Sequence, residues 1–212
     1  MTKVAIIDYD CGNIFSLANA LKKINQPFEI INDASTLNNF DHAILPGVGS
    51  FGPAIKHLKH MGFDNELREF DQKGKSIFGI CLGMQLMLTE SHENGIHQGI
   101  GLIEGSVERI QPKNISERVP NIGWANVIAN SANKTGELFF NKTDEQQQYY
   151  FVHSYHAILK NQADVAARIE YSGSELTAAI SKEHIHGVQF HPEKSGQNGL
   201  KLFDLIQSEF WI

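Results

Sequence analysis

Cysteine is nearly absent. Two residues, Cys11 and Cys81, are too few for a disulfide framework, and a reducing compartment is the expectation. Basic residues are outnumbered: 18 Lys and Arg stand against 24 Asp and Glu, a formal charge of -6. That leaves no electrostatic footprint for nucleic acid. No apolar run reaches the ~20 residues that a bilayer demands. The opening Met1-Thr2-Lys3-Val4-Ala5-Ile6-Ile7-Asp8 turns polar too soon for a signal peptide. Internal repeats, low-complexity stretches and linkers are missing too. The expectation is one cytoplasmic domain over residues 1-212, large enough to bury a sizeable core.

The richest stretch is Ile77-Phe78-Gly79-Ile80-Cys81-Leu82-Gly83-Met84-Gln85-Leu86-Met87-Leu88. It opens as a short apolar run, fit for a buried strand, and closes as a helix. Between them, Gly79-x-Cys81-x-Gly83 has the small-x-nucleophile-x-small spacing of a nucleophile elbow, with Cys in place of Ser. Glycines flank the turn because Cβ atoms would clash where the backbone doubles back. The thiol then sits at a helix N-terminus, where free N–H groups and the helix dipole favour a thiolate. A buried Cys between two packing glycines is the plainer alternative.

The chain before this point alternates strands and helices. Val4–Ile7, Phe28–Ile31, Ala43–Leu45 and Ser76–Ile80 are short apolar strands. Helices are expected over Ile14–Ile24, Pro53–His60 and Asn65–Lys73. The pattern predicts an α/β fold: a mostly parallel, doubly wound sheet with helices on both faces, flavodoxin-like. The second half carries β-prone runs at Val107–Ile110, Trp124–Ile128, Tyr149–Val152, Tyr155–Leu159, Val165–Glu170 and Leu176–Ser181, read as antiparallel additions. Gly187-Val188-Gln189-Phe190-His191 is the last strand, before a helix over Asn198–Phe210.

Gly47-Val48-Gly49-Ser50-Phe51-Gly52 matches the dinucleotide pattern G-x-G-x-x-G. It follows the third strand rather than the first, and no acid ends the next strand, so that reading fails. The rival is a flexible turn whose N–H groups meet a developing oxyanion; the bland one is a plain strand-to-helix turn. In His191-Pro192-Glu193, residues two apart on an extended segment point the same way. His191 as base and Glu193 as its orienter would complete a Cys-His-acid triad with Cys81. His184-x-His186 and His153-x-x-His156 lack the company of a metal motif, so they read as solvated or packing residues. No metal or cofactor is called for.

These residues carry a family. Gly79–Leu86 together with Gly187-Val188-Gln189-Phe190-His191-Pro192-Glu193 resembles the class I (triad) glutamine amidotransferases. Pro46-Gly47-Val48-Gly49, Ile122-Gly123-Trp124, Tyr150-Phe151-Val152-His153-Ser154-Tyr155 and Glu193-Lys194-Ser195 narrow the likeness to the glutaminase subunits of imidazole glycerol phosphate synthases. Asp8-Tyr9 and Gly12-Asn13 also fit, and the likeness runs nearly end to end. The resemblance implies hydrolysis of L-glutamine to glutamate and ammonia, with Cys81, His191 and Glu193 catalytic. The ammonia would pass to a cyclase subunit, a (β/α)₈ barrel, in a heterodimer of histidine biosynthesis. It implies oxyanion donors at Leu82 and in the Val48-Gly49 turn. Glutamine would be held by Gln85, Glu93, Ser154, Tyr155 and the backbone of Gly47 and Gly49, although Gln85 and Glu93 also suit ordinary helix-surface and loop positions. Asn13, Trp124 and Lys194 would face the partner, with a core position the alternative for Trp124. Three residues depart from the family: Asn121 where His is usual, Ala125 where Asn is usual, and Asp10 where Gly is common. All lie outside the triad. They leave open a paralogous subunit that donates ammonia to a synthase amidating surface-polysaccharide sugars.

Overall fold

The computed structural model describes residues 3–113, 119–140 and 147–211; Met1 and Thr2 of the opening segment lie outside them. The first half follows the alternation of the sequence: β1 (Val4–Ile7), α1 (Ile14–Lys23), β2 (Phe28–Ile31), β3 (His42–Leu45), α2 (Phe51–His60), α3 (Phe63–Gln72), β4 (Ser76–Ile80) and α4 (Leu82–Leu86). The second half adds β5 (Leu88–Ser91), β6 (His97–Gln98), β7 (Ile103–Arg109), β8 (Asn121–Asn126), β9 (Ile128–Ala129) and α5 (Lys134–Phe140). It closes with β10 (Gln148–His153), β11 (Tyr155–Leu159), β12 (Val165–Tyr171), β13 (Ser174–Lys182), β14 (Ile185–Val188) and α6 (Gly196–Glu209).

The main sheet has eight strands in the order β2-β1-β3-β4-β14-β13-β12-β9. From β2 to β14 every pairing is parallel; β13, β12 and β9 extend the sheet antiparallel. All four residues of β1, β3 and β14 are buried, as expected of strands covered on both faces. Alternate side chains of β1 feed different cores. Ala5 and Ile7 join a cluster with Leu58 of α2 and Leu67 and Phe70 of α3. Val4 and Ile6 join one with Leu17 and Leu21 of α1 and Leu202, Phe203 and Ile206 of α6. The helices thus cover both faces, and the carboxyl ends of β3, β4 and β14 lie side by side. Ligands in such sheets bind at that edge.

Three expectations need correction. The helix after Cys81 has only five residues; Leu88 already belongs to β5, so a long helix dipole does not act on the thiol. The last strand stops at Val188, three residues before His191. Pro192–Lys194 is a 3₁₀ turn, not an extended segment. The strands β5 and β6, the helix α5 and a 3₁₀ turn at Ala34–Asn39 were not expected. Two small sheets, β10-β8 and β11-β7-β5-β6, stand beside the main one. Among the described residues, no helix is long and apolar enough to cross a membrane.

Candidate active site

Cys81 follows β4 with φ +54 and ψ -111, a backbone region that costs a non-glycine residue roughly 1–3 kcal/mol. Its surroundings hold it there. The Cys81 N–H donates to the Val188 carbonyl at 2.8 Å. A Cβ on Gly83 would overlap the Leu45 carbonyl oxygen, so α4 packs directly on the end of β3. The chain has one sharp way to leave β4, and that way presents the thiol at the mouth of the strand.

His191 arrives from β14, its N–H donated to the Tyr150 carbonyl at 2.9 Å. Its Nδ1 lies 2.8 Å from Glu193 Oε1, and both side chains are almost wholly buried, 2% and 4% exposed. The 3₁₀ turn brings the carboxylate back onto the ring, so the expected pair forms by a different backbone path. Burial pushes His191 down, but hydrogen bonding and charge from Cys81 and Glu193 outweigh it and hold it up at about 10. His191 Nε2, the ring nitrogen that Glu193 does not use, is buried. Held that high, the ring carries a proton at neutral pH and can give it to a leaving group.

Cys81 and His191 line a cavity of about 440 Å³ with Val48, Gly49, Leu82, Gln85, Glu93, Ser154, Tyr155 and Lys194. Most of the residues singled out from the sequence therefore meet in one place. Gly47 does not line it: a Cβ there would fall 2.7 Å from both the Gly83 nitrogen and the Tyr9 hydroxyl, so its role is close packing. Glu193 stands behind His191. Gln85 is not a helix-surface residue. It is buried, and its Nε2 donates to the Tyr155 carbonyl at 3.0 Å and to Gln189 Oε1 at 2.9 Å. Glu93 accepts from the Phe51 N–H at 2.7 Å, tying its loop to the start of α2.

The oxyanion donors expected from the sequence are backbone amides. Leu82 opens α4, where amides have no helical acceptor. The Val48 N–H, however, donates to the Cys11 carbonyl at 2.8 Å and is turned to that bond. The Tyr9 hydroxyl donates to the Pro46 carbonyl at 2.9 Å, and Gly49 sits at φ +103, where glycine alone is at ease.

Two departures from the family pattern acquire a place. Asp10 has φ +62, in the left-handed region that makes glycine common there and that Asp tolerates. Asn121 is buried and its Nδ2 lies 3.1 Å from His153 Nε2. His153 donates Nδ1–H to the Tyr155 carbonyl at 2.9 Å. Burial lowers it to about 4, so it is a neutral wall of the cavity rather than a solvated residue. Nothing in the structure explains Ala125. Gln189 was missed by sequence reasoning: it is fully buried and its Nε2 lies 3.7 Å from the Cys81 sulfur. Its only signal was its place two residues before His191.

Asn13 caps α1, its side chain accepting from the Ser16 N–H. Lys194 is exposed. Trp124 is 54% exposed, with Ile122 at 60% on the same side of β8 and Phe15 of α1 at 77%, so the core alternative for Trp124 falls.

Residues 5–205 match the family model described as glutamine amidotransferase class-I. The chain is 41% identical over 203 residues to the imidazole glycerol phosphate synthase subunit HisH of Sulfurimonas denitrificans, covering 95% of each. It is 40% identical over 199 residues to the subunit of the same name from Chlorobaculum tepidum, covering 94% of this chain and 96% of that one. Among solved structures it resembles PurLQS from Thermotoga maritima, with a TM-score of 0.70, 21% identity and 98% of each chain covered. It also resembles the glutaminase domain of Trypanosoma brucei CTPS, with a TM-score of 0.62, 13% identity and coverage of 100% and 96%. These two likenesses concern the fold.

Proposed function

Since this chain belongs to the class-I glutamine amidotransferases, an enzyme family, we propose that it is the glutaminase subunit of an imidazole glycerol phosphate synthase. It hydrolyses L-glutamine and delivers ammonia to a (β/α)₈ cyclase subunit, which forms imidazole glycerol phosphate and aminoimidazole carboxamide ribotide in the cytoplasm. The names of relatives spanning almost the whole chain support the pathway. The observation that carries the chemistry is Cys81, held at φ +54 over a cavity it shares with His191, whose other face rests on Glu193 at 2.8 Å.

In this reading the Cys81 proton already rests on His191, whose ring is held charged, and the thiolate attacks the glutamine carboxamide carbon. His191 returns that proton to the nitrogen, which leaves as ammonia; Glu193 holds the ring and its positive charge. Water, deprotonated by His191, then opens the γ-glutamyl thioester, and the thiol is regenerated. Gln85, Glu93, Ser154 and Tyr155 border the cavity where glutamine would sit, with Gly49 lending backbone.

Leu82 N–H is one oxyanion donor. The second, Val48 N–H, is committed to the Cys11 carbonyl, so the resting turn withholds it. One such donor is worth roughly 10²–10³ in rate. Docking of the partner, on the face bearing Asn13, Trp124 and Lys194, would turn the peptide by favouring the competent state. The test is glutamate release by the chain alone and by the chain saturated with a cyclase subunit and its nucleotide. The expected result is a rise of about 10²-fold or more with partner. Equal rates exclude gating through this turn. Val48→Pro, which has no N–H, should abolish most of that rise; if activation survives, the donor lies elsewhere. Failure of all cyclase subunits to activate, with success of a sugar-amidating synthase, would transfer the chain to the paralogous role.

A further inference from the structure

We infer that Gln189 is a further catalytic residue: its side-chain amide donates a hydrogen bond to the Cys81 sulfur and favours the thiolate. The inference rests on the nucleophile proposed above. Gln189 Nε2 lies 3.7 Å from Cys81 Sγ, and Gln189 is wholly buried. Its backbone is anchored, the N–H donating to the Ala178 carbonyl at 2.8 Å.

The two ends of a side-chain amide look alike, so orientation must come from neighbours. Here a backbone carbonyl decides it. Tyr155 O lies 3.0 Å from one end of Gln85, and a carbonyl oxygen only accepts, so that end is the NH₂ group. The same NH₂ lies 2.9 Å from Gln189, which must therefore present its oxygen. The Gln189 NH₂ is then turned to the sulfur. Flipping Gln189 would oppose two donors at one end and turn an oxygen toward the sulfur at the other.

The chemistry follows from the charge on sulfur. The thiol proton rests on His191; Gln189 transfers no proton and stabilises the negative sulfur by donation. In the thioester the sulfur is neutral and the bond weakens. It strengthens again when the thiolate leaves. Gln189 does not line the cavity, so it acts on the sulfur rather than on glutamine. The other titratable groups facing the sulfur are His191, with Glu193 behind it, and Tyr9, whose phenol burial keeps protonated.

The test compares wild type with Gln189→Met, which keeps length but has no donor, and Gln189→Glu, which puts an acceptor there. Alkylation of Cys81 by iodoacetamide is followed across pH through the mass of the Cys81 peptide, without glutamine. Turnover is measured separately with partner present. The expected result is an upward move of the alkylation midpoint by about one pH unit in Gln189→Met and more in Gln189→Glu. The rate constant kcat should fall about tenfold with KM nearly unchanged. An unmoved midpoint in either folded variant, or a raised KM with kcat intact, overturns the inference. Should neither variant fold, Gln85→Met removes the amide that orients Gln189, and its alkylation midpoint decides in the same way. A wild type that releases no glutamate with any partner would refute the glutaminase reading, while the thiol profile still judges Gln189.

Discussion

At the scale of single residues, strain and charge concentrate on three side chains. Cys81 occupies a backbone conformation that suits glycine. Replacing it by glycine should therefore end glutamate release and yet leave a more stable protein than Cys81→Ala, by about 1 kcal/mol. Paired urea unfolding curves measure the difference, and equal stabilities would mean that the elbow carries no strain. His191→Ala should be nearly as severe in turnover as either Cys81 variant, because members of a triad act as a unit. Glu193→Gln should be milder, since its carboxylate touches only the far side of the ring. A Glu193→Gln enzyme slower than His191→Ala would reverse these roles.

Buried histidines make stability depend on pH. His191 is held up at about 10, above its unfolded value of about 6.5. Its contribution is present below about pH 6.5 and is lost as pH rises toward 10. His153 and His186 are buried neutral, lowered to about 4 and about 3. The unfolded chain takes up those protons first, so each His costs up to about 1.4 kcal/mol per pH unit as pH falls below 6.5. His153→Gln should flatten that acid limb by about one proton's worth of slope, read from unfolding free energies between pH 7 and pH 5.

At the scale of elements, the elbow and the turn after β3 are one packed unit. Gly83 meets the Leu45 carbonyl, Gly47 meets the Gly83 nitrogen, and Tyr9 binds the Pro46 carbonyl. Gly83→Ala should destabilise by about 3 kcal/mol or more, because the atom in the way is backbone and cannot swing aside. A Tm within a degree or two of wild type would show that α4 can shift. The parallel strands β1, β3 and β4 were legible because residues buried on both faces read as near-continuous apolar runs. The strand β5 was not: three of the four residues in Leu88-Thr89-Glu90-Ser91 are polar, and it becomes a strand by pairing with β6 and β7. Nor was α5, whose Lys134–Phe140 is short and has one glycine inside it; its contacts with β12 and β9 make it a helix.

At the scale of the whole molecule, the exposed side chains of Phe15, Ile122 and Trp124 are conspicuous for their size. Trp124 meets only Tyr150 edge-on among aromatic neighbours in the described residues. Trp124→Ala should weaken binding of the proposed cyclase partner by about 2 kcal/mol or more, while changing the chain's own stability by less than about 0.5 kcal/mol. Calorimetric titration against thermal unfolding separates the two. Loss of stability without loss of affinity would return Trp124 to a structural role.

The amino-acid sequence by itself determined the alternation of strands and helices, the sharp turn at Cys81 and the pairing of His191 with an acid nearby. Each of these depends on local chemistry: apolar runs, small residues at fixed offsets, and side chains two apart. Only the tertiary structure decided which amides point where. The Val48 N–H lies on the Cys11 carbonyl, and Gln189 turns its NH₂ to sulfur because Gln85 and the Tyr155 carbonyl leave no other choice. The bonding partners in those contacts are separated by 37 to 108 positions in the chain, and no local pattern records a hydrogen bond that the fold alone assembles.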